Sequence, residues 1–149
     1  MKQLEKAKKD GYRVIYLDET MFTKAALPKT EYCLPSQNVN IDKSQAYEPA
    51  MALLSGISKE KGLELHMLFP RSVNISKFKE YLKKLREVND DAKICLFMDN
   101  LTTHTSNKTK AEMRRLNFKF VFNIPYSPDY NPIESVFSKV KQSFKSLRL

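Results

Sequence analysis

Three carboxylates are placed so that neighbouring elements can deliver them to one spot. Asp18 closes the apolar run VIYLD, Asp99 closes ICLFMD, and Glu134 falls in the first turn expected of a helix that follows the proline-punctuated stretch NIPYSPDYNP. Carboxylate oxygens are the ligands that a hard divalent cation such as Mg2+ prefers, so acids that converge in this way are suited to holding one. Glu134 also has a plainer explanation. With Asn131 three residues before it and Pro132 at the first helical position, it fits a loose capping box. Its place one residue after Ile133 turns it about 100° from the apolar stripe of the helix, and helical side chains lean towards the N-terminus. The carboxylate is therefore aimed at whatever lies beside the helix entrance.

The elements that must position these acids follow in order. Arg13 to Leu17 is a β-rich run, the first strand, and it delivers Asp18, Glu19 and Thr20. Pro28 and Pro35 break the next stretch, leaving an edge-like strand around Thr30 to Leu34. Glu48 to Ile57 and Leu63 to Phe69 read as strands joined by a hairpin-length linker, which makes an antiparallel meander. Ser76 is placed to cap a helix whose Phe78, Tyr81, Leu82, Leu85 and Val88 share one face, ended by Asn89, Asp90 and Asp91. Lys93 to Met98 is continuously apolar, as expected of a central strand covered on both faces. Thr105 or Ser106 caps a basic helix to about Leu116, and Phe118 to Ile124 supplies the last strand. Ile133, Val136, Phe137, Val140, Phe144 and Leu147 form the stripe of a closing helix. Strands first and then alternating helix and strand predict an α/β fold, a mixed sheet with helices packed over it. Parallel pairing of the strands that end in Asp18 and Asp99 brings their C-terminal ends together.

Composition bounds what such a site serves. The chain has 149 residues, of which 42% are hydrophobic, enough for one sizeable core and a single domain over 1–149. The net charge of +9 is uneven: residues 100–149 hold nine Lys or Arg against Glu112, Asp129 and Glu134, a net of +6. A polyanionic partner follows, with nucleic acid the commonest. Cys33 and Cys95 are too few and too far apart for a disulfide framework or a metal knuckle, which points to a reducing, intracellular compartment. No apolar run nears the ~20 residues of a membrane span, and MKQLEKAKKD lacks the apolar core of a signal peptide, so no membrane partner is expected.

Three segments carry a more specific likeness. LDET from Leu17 to Thr20, MDN with a histidine five residues after the aspartate (Asp99, Asn100, His104), and SPDYNPIE from Ser127 to Glu134 stand in this order. Together they resemble the catalytic domain of mariner-like, insertion-sequence-type transposases of the DDE class, whose fold is ribonuclease H-like, a mixed five-stranded sheet flanked by helices. Thirty-four positions, 100 to 133, separate the second and third acids, a spacing typical of that family. The resemblance implies that Asp18, Asp99 and Glu134 are catalytic and hold two Mg2+ ions, for which Mn2+ can substitute. Asp18 would bridge both ions, with Asp99 on one and Glu134 on the other. Two ions roughly 3.5 to 4 Å apart activate a water and relieve charge on the leaving oxygen of a phosphodiester. A DNA 3′-hydroxyl could replace that water, so the implied activity is metal-dependent DNA cleavage and strand transfer in transposition. The alternative is a domesticated, noncatalytic DNA-binding protein derived from such an enzyme.

Around the triad, Asn100 and His104 are the candidates for substrate contact. Asn100 either orients Asp99, meets the DNA backbone or only makes a turn; His104 contacts substrate, positions the site or makes a local hydrogen bond. Glu19 is expected on the face of the strand opposite Asp18, in a structural or surface role. His66 is expected to pack in the core or at an edge, and Tyr126 and Tyr130 to stack on DNA or pack the proline-rich loop. Phe137 stands where the family often has tryptophan. Family members usually carry helix-turn-helix modules ahead of this domain, whereas seventeen residues precede Asp18 here. DNA binding is therefore expected to be largely independent of sequence, with a homodimer or a separate DNA-recognition chain as further partners. A nuclear location is favoured if the host is eukaryotic, a cytoplasmic one if it is bacterial.

Overall fold

The sheet in this computed structural model, which describes residues 2–22, 50–124 and 131–146, takes its order from where the acids must go. Strands β1 (Arg13–Phe22), β2 (Met51–Ser58), β3 (Gly62–Pro70), β4 (Ile94–Met98) and β5 (Lys119–Phe122) lie in the order β3-β2-β1-β4-β5. The first three pair antiparallel as the expected meander. Gly62, at φ +74°, closes the β2–β3 turn in a conformation that favours glycine. Then β4 adds parallel to β1 and β5 parallel to β4, each after a helical crossover. This mixed five-stranded sheet flanked by helices is the ribonuclease H-like arrangement expected from the sequence.

Helices α1 (Lys2–Lys9), α2 (Ile75–Glu87), α3 (Thr102–Thr105), α4 (Asn107–Arg115) and α5 (Ile133–Ser146) complete the described chain. On one face of the sheet, Ile15, Leu17, Ala52, Leu54, Leu96 and Met98 pack against Phe78, Tyr81, Leu82 and Leu85 of α2 and Met113 of α4. Each such fully buried side chain stabilises the fold by about 1.5–3 kcal/mol. Gly56 lets α2 come close, since a Cβ there would meet Leu17 at 2.7 Å and the Tyr81 hydroxyl at 2.8 Å. On the other face Val14, Cys95, Phe97 and Val121 lie under Leu4 and Ala7 of α1.

Several details differ from the sequence reading. The basic lead is a helix, α1. All five residues of β4 are buried, but the middle place belongs to β1; an unbroken apolar run marks a strand covered on both faces, not its rank in the sheet. Nor does β1 stop at Asp18. It continues to Phe22 against β2, so the acid sits within a strand that outruns its parallel neighbour. Helix α2 is capped by Asn74, whose side chain accepts from the Lys77 amide at 2.9 Å, rather than by Ser76. The basic helix is split, with the single turn α3 ahead of α4, which Ser106 caps by accepting from the Thr109 amide at 3.1 Å. On α5, Ile133 and Phe137 are buried whereas Val136 and Val140 are 36% and 38% exposed, so the apolar seam is narrower than the stripe. The strand expected at 30–34, Cys33, Tyr126, Tyr130 and Leu147 lie outside the described residues. No described helix is long and apolar enough to cross a membrane.

Candidate active site

Parallel register explains how two acids distant in sequence meet. Tyr16 pairs with Phe97, and carrying that register two residues further sets Asp18 beside Asp99. Alternation then puts both on the face of Val14, Tyr16, Cys95 and Phe97. Glu134 arrives by a separate route. The buried Asn131 accepts from the Ile133 amide at 3.4 Å and donates through Nδ2 to the Leu17 carbonyl at 3.4 Å. One side chain thus caps α5 and ties it to β1 beside Asp18, a role that goes beyond the cap read from sequence. Asp18, Glu19, Thr20, Glu134, Phe137, Ser138 and Lys141 line an open cleft of about 240 Å³ between β1 and α5. Lys141 was not singled out from the sequence; the signal was its place two turns beyond Glu134, hence on the same side of the helix.

The cleft carries surplus negative charge. Burial pushes the Asp18 carboxyl up to about 6; the Glu19 amide, donating to Asp18 Oδ1 at 2.8 Å, opposes this, while the charges of Asp99 and Glu134 add to it. The three acids therefore act on one another, yet among the described residues no three His, Cys, Asp or Glu side chains form a closed metal cage. Their oxygens fit a hard divalent cation in kind, and the charge that such an ion would offset is present.

His104 and Asn100 take parts that the sequence left open. His104 is wholly buried, its Nδ1 lies 2.6 Å from Asp99 Oδ1, and its ring packs 4.5 Å from that of Phe78. Burial removes it from direct contact with a substrate and leaves the positioning role. Asn100 is exposed and donates to the Asn123 carbonyl at 2.5 Å, tying the loop after β4 to the end of β5. Glu19 is half-buried and points away from Asp18, as alternation requires. His66 lies exposed on the edge strand β3, opposite Ser55.

Acids gathered past the end of one strand and inside its parallel neighbour, on a sheet of this order, mark the ribonuclease H-like class. Over residues 13–149 the sequence matches the DDE superfamily endonuclease family, and the chain belongs to that family. No curated protein matches it in sequence. Its fold is similar to that of the Mos1 transposase paired-end complex with left transposon end, at TM-score 0.67 and 19% identity over 95% of this chain and 45% of that one. It is also similar to the Mos1 transposase catalytic domain with raltegravir and Mg, at TM-score 0.67 and 16% identity over 94% of this chain and 66% of that one. A simian T-cell lymphotropic virus intasome in complex with PP2A regulatory subunit B56 gamma follows at TM-score 0.62, 13% identity, and 88% and 38% coverage. The chain spans just under half the length of the Mos1 chains in the paired-end and pre-cleavage complexes.

Proposed function

We propose that this chain is a divalent-metal-dependent DNA endonuclease and strand transferase, and that Asp18, Asp99 and Glu134 are its catalytic acids. The observation that carries this reading is the meeting of three acids from β1, the end of β4 and the first turn of α5 around a half-buried Asp18 whose carboxyl is pushed up to about 6. Structural carboxylates are ordinarily given cationic partners, whereas these oppose one another. Mg2+ fits the donor set, and Mn2+ shares its taste for oxygen. When bound, a pair of such ions supplies an activated nucleophile and offsets charge on the leaving oxygen.

The chain's own residues do the rest. His104 holds one oxygen of Asp99, which restricts how that carboxylate turns. Asn131 fixes the entrance of α5 to β1 and so sets Glu134 against Asp18. Lys141, on the rim, offers a point charge to a backbone phosphate. DNA as partner is supported by the +9 net charge and by the DNA complexes among the similar structures. Phosphate-dominated binding of this kind weakens steeply with salt.

The test is cleavage of a DNA duplex and of an RNA–DNA hybrid by the purified protein with Mg2+. Nicking of the duplex, lost on chelation and restored by Mn2+, is the expected result. Cleavage confined to the hybrid would move the protein to another ribonuclease H-like activity, and DNA binding without cleavage to the noncatalytic alternative.

A further inference from the structure

On the far face of β1 from Asp18, two buried polar atoms have no hydrogen-bond partner among the described residues, Oε2 of Glu19 and Nε2 of His104. A buried polar group left unmade costs about 1–3 kcal/mol, so a pair of them in one region calls for a reason. The other nitrogen of the same ring is already taken, at 2.6 Å from Asp99 Oδ1. Phe78 packs on the ring and holds its plane. His104 is also the nearest opposing charge to Glu19: burial raises the Glu19 carboxyl above its ordinary value, and the imidazole is the strongest influence acting against that rise.

We propose that Glu19 is a positioning residue for the Asp99 arm of the cleft, its carboxylate engaging the outer nitrogen of His104 so that the ring, held from both sides, fixes the Asp99 carboxylate. The inference rests on reading the cleft as a metal site, and it adds a residue to it. Asp18 and Glu19 are neighbours on one strand, so β1 serves the site from both faces: one side chain reaches the cleft directly and the next acts through the imidazole. This is the outer-shell logic in which a ligand's own hydrogen-bond partner sets its orientation.

The test is Mn2+ affinity by isothermal titration calorimetry on the full chain, with thermal unfolding as the control for fold. Losing an outer-shell partner typically weakens metal binding by about 10- to 100-fold. His104→Ala should fall in that range and Glu19→Ala near its lower end. The double variant should bind no more weakly than His104→Ala alone, because Glu19 acts only through the ring. Glu19→Gln, which keeps an acceptor oxygen, should recover most of the parent's affinity. Glu19→Leu keeps the volume and removes the unpartnered oxygen, so it should fold at least as well as Glu19→Ala while binding Mn2+ as weakly. Parental affinity in a folded Glu19→Leu or Glu19→Ala, or losses that multiply in the double variant, would overturn the inference and leave the metal site standing. Failure of the parent itself to bind Mn2+ would remove the metal reading together with this one.

Discussion

Two polar clusters sit towards opposite ends of β1, about 17 Å apart at strand rise, and they are built on opposite plans. Near its start, Arg13 Nε lies 3.0 Å from Glu64 Oε1 as an ion pair, and the Glu64 side chain is 1% exposed. Ser58 donates to the same carboxylate oxygen at 2.5 Å, while Arg13 and Lys61 both donate to Asn89 Oδ1. Charge and hydrogen bonds there are largely balanced within the protein. At the other cluster, Asp18, Asp99 and Glu134 oppose one another, with the buried ring of His104 and the rim Lys141 as the basic groups beside them. Folding completes the first cluster. It leaves the second with a charge that suits a cation from solution, and that difference marks which of the two belongs to function.

Substitutions should separate the clusters, beginning with the largest effect. Asp99→Asn should reduce Mg2+-dependent nicking to the chelated background while duplex binding at low salt is kept or improved, both read in one gel-based assay. Glu64→Gln should leave nicking per folded molecule unchanged. Glu64→Ala strands the partly buried Arg13, and losing one partner of a buried pair costs about 3 kcal/mol or more, measurable by urea unfolding. Equal stability losses from Glu64→Ala and Asp99→Ala would erase the contrast.

A third prediction concerns pH. The Asp18 carboxyl rises from 3.8 to about 6 on folding, so its contribution to stability is full below pH 4 and is lost as pH climbs through 6. The groups facing it are Asp99 from the end of β4, His104 from α3, and Glu134 and Lys141 from α5. The whole shift is worth roughly 3 kcal/mol. Metal-free Asp18→Asn should accordingly exceed the parent by roughly 2 kcal/mol at pH 7.5, with the gap closing towards pH 4. A gap independent of pH would contradict this origin. The smallest stability effect belongs to Asn131→Ser, which keeps a capping oxygen but cannot donate as Asn131 does to Leu17. It should cost less than about 1 kcal/mol yet slow nicking several-fold, since Glu134 loses its tether.

What was legible in the sequence was what rests on local pattern. The runs ending at Asp18 and Asp99, the face of Phe78, Tyr81, Leu82 and Leu85, and the helix beginning after Pro132 all declare their period, and parallel pairing of β1 with β4 followed from the crossover rule. Helix α1 was missed because Leu4 and Ala7 alone make too small a stripe in KQLEKAKK. The cap of α2 went to Ser76 because Asn74 and Ser76 are equally good capping residues, and only the backbone decides between them. Val136 and Val140 continue the helical period but face outward, so periodicity overstated the buried seam. Long-range partners were beyond reach altogether. Neither the hold of Asn131 on Leu17 nor the burial of His104 against Phe78 leaves a trace in spacing, because each depends on where two distant segments meet.

The most direct test of the central claim is Glu134→Gln assayed for nicking of duplex DNA at saturating Mg2+, with the melting temperature measured on the same preparation. Glutamine is accepted at the third position of a capping box, so the start of α5 should hold and the melting temperature should change little. It brings no negative charge to the cleft. The account predicts that nicking collapses to the chelated background in a folded protein; nicking at the parental rate would return Glu134 to a capping role and the chain to the noncatalytic DNA binders.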